Sequence, residues 1–310
     1  MKKIYTIGLK TILLLSLIFC FGMAQQDHKK PTDSAETNKK KIVTQKTPNK
    51  KIAITFDNLP GDQIYSVKER VEINNGILEV LKKRKIPATG FVVGEYIEGK
   101  DWESIVSWLE NGQTLGYHTY SGQEIQGMPM GLFISDIIKG KEAIEDLVST
   151  YKQKMRYFRF PYLHYARDAK SKLNIVEQLI KMNTRIAHVS ITTEDFVYNM
   201  SLEKVLRMGD STDMYYLRQE YLNHLTERLA HFEDLANEVV GRPIRHILQL
   251  RTNRLNSLLL EDIIKELSDK GYQFITLREA LKDKVYRKDE EYYGDKGLSF
   301  LERIKYSTSE

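Results

Sequence analysis

Cysteine is nearly absent from this 310-residue chain: Cys20 is the only one. It falls in a leader expected to be cleaved, so the mature protein would have no disulfide framework and no thiolate-bound metal. No apolar run reaches membrane-spanning length. The longest, residues 11–23, falls short of the ~20 apolar residues that a transmembrane helix needs. The globular part also lacks any excess of positive charge. The chain is formally +5, but the first 50 residues hold ten lysines and three acids, which leaves residues 51–310 at −2. The basic balance therefore belongs to the N-terminal segments and gives no reason to expect a nucleic-acid-binding domain.

What stands at the N-terminus is ordered as a secretory signal peptide. Lys2, Lys3 and Lys10 precede the apolar run, and Gly22-Met23-Ala24 supplies small residues for cleavage after Ala24. Bulky Phe19 in front of Cys20 argues against a lipidated cysteine. Residues 25–50 are Lys-rich and almost free of apolar side chains, the composition of a disordered tether. The expectation is an exported protein with no membrane span once the leader is removed: leader 1–24, tether 25–50, a globular domain 51–282 and a charged, tyrosine-rich tail 283–310 without clear periodicity.

The globular domain opens on KIAITFDNLPGD, residues 51–62. Alternating Ile52, Ile54 and Phe56 make a short strand that Leu-Pro-Gly stops, delivering Asp57 and Asn58 to its carboxyl end. Further strands are expected at 88–93, 113–117, 155–160, 185–191, 244–250 and 273–275. Helical spacing separates them at 66–84, 102–110, 132–150, 169–182, 213–239 and 258–270. Seven strands alternating with helices make a parallel sheet wrapped by helices, and a barrel and an open doubly wound sheet both fit that pattern. Polar groups stand at the carboxyl ends of five strands: Asp57-Asn58, His118-Thr119-Tyr120-Ser121, Arg159-Phe160-Pro161-Tyr162, Glu194-Asp195 and Arg251-Thr252-Asn253. Catalytic groups in parallel α/β folds collect at that end. Five such segments from five strands point to a constructed site.

In this order the segments resemble the polysaccharide deacetylases, N-deacetylases of chitin oligosaccharides and peptidoglycan. ITFDN resembles T-F-D-D, GYHTYSG resembles G-N-H-T-Y-S-H, and FRFPY resembles R-x-P-[YF]. ITTEDFVYN resembles the segment with a later aspartate, and ILQLRTNRLN the terminal L-L-L-H stretch. The resemblance implies a distorted (β/α) barrel of about seven parallel strands. It also implies a divalent metal, often zinc, which polarises the acetamide and activates water. By position, Asp57 matches the catalytic base, Arg159 its orienting partner, His118 the first metal histidine and Asp195 the partner of the terminal histidine. Pro161 and Tyr162 match the groove wall, and Tyr120 and Phe196 are further aromatic candidates for stacking on sugar.

Three positions depart from the pattern. Asn58 stands at the metal carboxylate, Gly122 at the second metal histidine and Arg251 at the terminal histidine. Asn is a weak zinc ligand, glycine is none, and one imidazole does not make a catalytic zinc site. Arginine stays charged at physiological pH, cannot deliver a proton in turnover, and opposes a nearby dication while being free to pair with Asp57 or Asp195. The expectation is a protein that binds N-acetylated glycan, chitin-like or peptidoglycan, with metal-dependent deacetylation lost or severely weakened and zinc weakly bound or absent. The alternative is an active deacetylase whose remodelled site recruits Glu124, Asp62 or His164. His188 and His246 read as core histidines, and His224 and His231 as surface or core residues.

Overall fold

The structure is a computed structural model that describes residues 50–209 and 211–308. The expected signal peptide, Cys20 and all of the tether but Lys50 lie outside the described residues. Among the described residues no helix is long and apolar enough to cross a membrane.

The first strand, β1 (Lys50–Leu59), is the axis of the fold. Ile52, Ala53, Ile54, Thr55 and Phe56 are all essentially inaccessible, the signature of a parallel strand covered on both faces. It is followed by α1 (Val67–Arg84), started by a capping box in which Ser66 and Glu69 satisfy each other's backbone amides. The alternation continues through β2 (Ala88–Val92), α2 (Asp101–Glu110), β3 (Thr114–Tyr117), α3 (Met130–Thr150), β4 (Tyr157–Phe158) and α4 (Ala169–Lys181). Then come β5 (Arg185–Ile186), β6 (Ile191–Thr192), α5 (Asp195–Met208), α6 (Ser211–Val240), β7 (Arg245–Arg251), α7 (Arg254–Asp269), β8 (Tyr272–Phe274) and α8 (Leu277–Ala280). The last helix is α9 (Phe300–Thr308).

All strand pairs are parallel, in the order β5-β4-β3-β2-β1-β7-β6, with β8 beside the first residues of β1. The sheet curls into the distorted α/β barrel expected from the sequence. The single strand expected at 185–191 is divided. Its first residues pair with β4 and its last with β7, the Ala187 amide donating to Phe158 and the Ser190 amide to Ile247. One extended stretch thus leaves one edge of the sheet and joins the other, carrying the chain across the barrel seam. β4 is likewise shorter than expected, and α5 is a helix of its own between the fourth motif and the long α6.

The C-terminal residues, which show no clear periodicity, cover that seam. The Phe300 amide donates to the Val189 carbonyl, and Phe300, Leu301, Arg303 and Ile304 are buried. Arg303 is fully inaccessible, paired with Glu290 at 2.8 Å and packed 4.0 Å over the Tyr165 ring. A buried ion pair explains how a segment that reads as charged can form part of the interior.

Candidate functional site

Asp57 and Arg251 are register partners at the carboxyl ends of β1 and β7, and Thr55 faces Gln249 one step earlier. Because side chains alternate along a strand, Thr55, Asp57, Gln249 and Arg251 project to the same face of the sheet. Arg159 follows β4 and His118 follows β3, so their side chains reach the same interior from neighbouring strand ends. The sheet order therefore brings together groups distant in sequence, such as Asp57 and Gln249, 192 residues apart.

Asp57 is 4% exposed and both of its carboxylate oxygens are occupied. Arg159 Nη1 donates to Oδ1 at 2.6 Å, and Gln249 Nε2 donates to Oδ2 at 2.5 Å. A carboxylate only accepts, so the Gln249 amide must turn its NH2 toward it. Burial pushes the Asp57 carboxyl up, but the Arg159 charge and the Gln249 and Arg159 hydrogen bonds act against it, and the group is held below its ordinary value. Arg159 itself is 1% exposed. It donates to Thr55 Oγ1 and the Ala187 carbonyl as well, and lies 4.0 Å over the Phe91 ring. Asp57 and Arg159 form a closed, buried ion pair.

His118 is equally deep, and its Nδ1 lies 2.8 Å from the Arg159 carbonyl oxygen. A carbonyl cannot donate, so Nδ1 carries the proton. Burial is the main cause that lowers the imidazole's pKa, so the ring is neutral and Nε2 keeps its lone pair. That Nε2 has no hydrogen-bond partner among the described residues and stands 3.9 Å from Asp57 Oδ1. Its lone pair is therefore open to a ligand.

The remaining groups do not fit a divalent metal. Asn58 is neutral. Gly122 has φ +71°, and a Cβ there would stand 3.0 Å from Val93 Cγ1 and 3.3 Å from the Tyr96 hydroxyl. The phenol of Tyr96 thus borders the volume that a second imidazole would need. The cavity enclosed by Asp57, Asn58, Tyr96, His118, Gly122 and Arg251 measures about 40 Å³. The Arg251 guanidinium lines it and that of Arg159 sits against Asp57 in its wall, and among the described residues no three His, Cys, Asp or Glu side chains gather as a ligand set.

Of the two partners open to Arg251, the structure selects Asp195. Arg251 donates to it from Nη1 at 2.5 Å and from its backbone amide at 2.7 Å, and Asn256 Nδ2 adds a third donor at 2.5 Å. Burial works against the Arg251 charge, but Asp195 more than restores it and raises the pKa. The guanidinium lies 4.8 Å over the Phe196 ring and lines both the small cavity and a larger cleft beside it, of about 460 Å³.

That cleft runs between the 162–164 turn, Phe196 and the 295–298 segment. Tyr162 is 63% exposed at its lip, with Pro161 buried beneath. Tyr120 is not brought there. It lines neither cavity, and its ring lies against Gly94, because its amide is tied to the Asp136 carbonyl of α3. Glu124 and His164 bond to each other through Nδ1 instead of turning toward His118, and Asp62 is exposed. His188 stacks among Tyr165, Tyr286 and Phe300, and His246 is buried against Ser190. His224 sits beside Glu194. Sequence reasoning missed Gln249 and Tyr96. The first had a signal, a polar residue interrupting the L-L-L-H-like stretch. The second had none.

The geometry agrees with comparisons to known proteins. Residues 44–179 match the sequence model of the family described as Polysaccharide deacetylase. The wild-type CE4-family pseudoenzyme BA3943 from Bacillus anthracis superposes with a TM-score of 0.52 at 16% identity, over 76% of this chain and 66% of its own. A BA3943 mutant with restored enzymatic activity gives 0.53 at 17% identity, over 76% and 69%. The peptidoglycan deacetylase PdaC from Bacillus subtilis gives 0.51 at 20% identity, over 76% and 93%. At these identities the likeness to the solved structures carries the fold, which is the barrel described above. The sequence match gives residues 44–179 the likeness of a polysaccharide deacetylase domain, and the solved structures share its barrel fold.

Proposed function

We propose that this protein is an exported, glycan-binding member of the polysaccharide deacetylase family in which metal-dependent de-N-acetylation has been lost. The observation that carries the reading is the donor set around His118. A catalytic zinc normally needs three protein ligands, and the free Nε2 of His118 has no second imidazole or further carboxylate gathered beside it among the described residues. Asn58 and Gly122 stand at the two other ligand positions, Asp57 is tied to Arg159 and Gln249, and Arg251 cannot act as the acid. What remains of the machinery is a neutral, internally paired polar core beneath an open cleft.

Binding is supported by the cleft itself. Tyr162 and Phe196 present exposed aromatic faces on its rim, suited to the apolar faces of sugar rings, and polar groups lie between them. N-acetylated glycan, chitin-like or peptidoglycan, is the ligand class proposed. PdaC is a peptidoglycan deacetylase, and BA3943 is a pseudoenzyme of the same fold.

The test is a paired measurement on the leader-free protein. Calorimetric titration with chitin oligosaccharides and with peptidoglycan fragments is expected to show saturable binding that Phe196→Ala and Tyr162→Ala weaken. Acetate release from the same ligands, with zinc supplied, is expected to stay at background. Zinc-dependent acetate release would replace this reading with that of an active deacetylase, the reading favoured by the free Nε2 of His118.

A further inference from the structure

The opposite end of the barrel holds a second concave site. A cleft of about 430 Å³ opens at the amino-terminal ends of β2, β3 and β4. Lys152, Lys154, Arg156 and Arg278 line it, and no aspartate or glutamate does. These four come from separate places: the turn after α3, the residue before β4, and α8. None of them has an ion-pair or side-chain hydrogen-bond partner among the described residues. Elsewhere in the barrel Arg70, Arg159, Arg251, Arg254 and Arg303 each meet a carboxylate. A fifth cation, Arg185, is the ladder partner of Tyr157, and among the described residues its side chain donates only to the Leu281 carbonyl, at 3.3 Å. Burial raises the Tyr157 phenol of the cleft, while the charges of Arg185, Arg278 and Arg156 act to lower it.

Lys152 and Lys154 follow the carboxyl end of α3, where cations complement the helix dipole. That role does not extend to Arg156, Arg185 and Arg278. Like charges gathered in one concavity repel each other, and in a domain whose net charge is −2 no overall excess of positive charge explains them. They make sense as a site for an anion.

We propose that this cleft binds a small ligand carrying two or more phosphoryl charges. Arginine presents paired donors that match phosphate oxygens, lysine adds point charges, and the Thr114 and Thr276 side chains at the rim offer hydroxyl groups. The volume suits a small phosphorylated compound. A membrane surface is a poorer match, because interfacial sites present exposed apolar side chains beside the cations. Here the apolar lining residues, Tyr157 and Leu277, are buried. This inference is independent of the glycan reading, since the two clefts lie at opposite ends of the barrel.

The experiment is calorimetric titration of the leader-free chain with inorganic tripolyphosphate in 20 mM and 500 mM NaCl, alongside sulfate and phosphatidylglycerol vesicles (salt concentrations of the order that separates weak from strong screening). Expected is one saturable site for tripolyphosphate, tighter than for sulfate and weakened by salt. Arg156→Gln/Arg278→Gln, both at exposed positions, should weaken it at least about tenfold. On the wild-type chain, backbone amide shifts on titration should concentrate at residues 152–157 and 276–279, which holds even if the variant folds poorly. Absence of binding, equal binding of sulfate, binding to vesicles alone, or binding that survives the double substitution and resides in the Lys-rich tether would each overturn the proposal.

Discussion

Replacing Asp57 with Asn separates a structural carboxylate from a catalytic one. The substitution keeps the shape of the side chain and removes its charge. Arg159, 1% exposed, then remains buried without its counter-charge, its Nη2 already lacking a hydrogen-bond partner among the described residues. No second acid replaces Asp57, since the other carboxylate at the site, Asp195, is held by Arg251 and Asn256. Removing one member of a buried pair typically costs about 3–5 kcal/mol. In urea, with a slope of about 3 kcal/mol/M for a domain of this size, the unfolding midpoint should fall by about 1–1.7 M at pH 7. A working active site gives the opposite expectation, because catalytic groups are often held at some expense of stability and their removal is then neutral or stabilising. An unchanged or raised midpoint would refute the view that Asp57 has become part of the core.

Three further outcomes follow from the same geometry. Restoring the family residues at Asn58, Gly122 and Arg251, as Asp, His and His, should give at most weak zinc binding, since Tyr96 crowds position 122 and Gln249 still holds Asp57. Adding Tyr96→Phe and Gln249→Leu should tighten zinc binding at least about tenfold by calorimetry, and no gain would mean that neither residue is an obstacle. Burial lowers His188 to about 3 and His246 to about 4. Both are neutral in the fold and protonate near pH 6.5 once unfolded, so stability should fall as pH drops from about 6.5 toward 4, by up to about 1.4 kcal/mol per pH unit for each. Urea midpoints at pH 7, 6 and 5 read that slope, and His188→Gln should remove about half of it. Finally, a Cβ at Gly140 would stand 2.3 Å from the His118 carbonyl, so Gly140→Ala should lower thermal stability by forcing α3 away from the site, and an unchanged melting temperature would show the helix free to move.

The architecture was legible because its signals are local. The 51–56 alternation, the helical spacing over 66–84 and the motif segments each depend on residues close in sequence, and they arrive in space in the expected order. The parts that were not legible depend on curvature or on distant partners. Residues 185–191 read as one strand, but the closing barrel hands that stretch from β4 to β7. The C-terminal segment reads as polar because Arg303 and Glu290 are charged, and only the folded chain shows that they neutralise each other inside. Tyr120 sits within the second motif, yet its backbone is tied to α3 and its ring turns away from the cleft. The choice of Arg251 between two carboxylates was settled by the α5 start, which places Asp195 against both its side chain and its amide. Gln249 shows the limit most clearly: the sequence contains the substitution, but its effect exists only across the β1–β7 ladder, where its amide reaches Asp57.

The most direct test of the central claim is thermal unfolding of the chelator-stripped, leader-free protein with and without zinc. A ligand bound only by the native state at a hundredfold excess over its dissociation constant contributes about 2.7 kcal/mol, a shift of several degrees. No shift is expected at 100 µM zinc, a concentration that would saturate a site with a dissociation constant of about 1 µM. A clear rise in the melting temperature, abolished by His118→Ala, would contradict that expectation and show that a metal site persists around that imidazole.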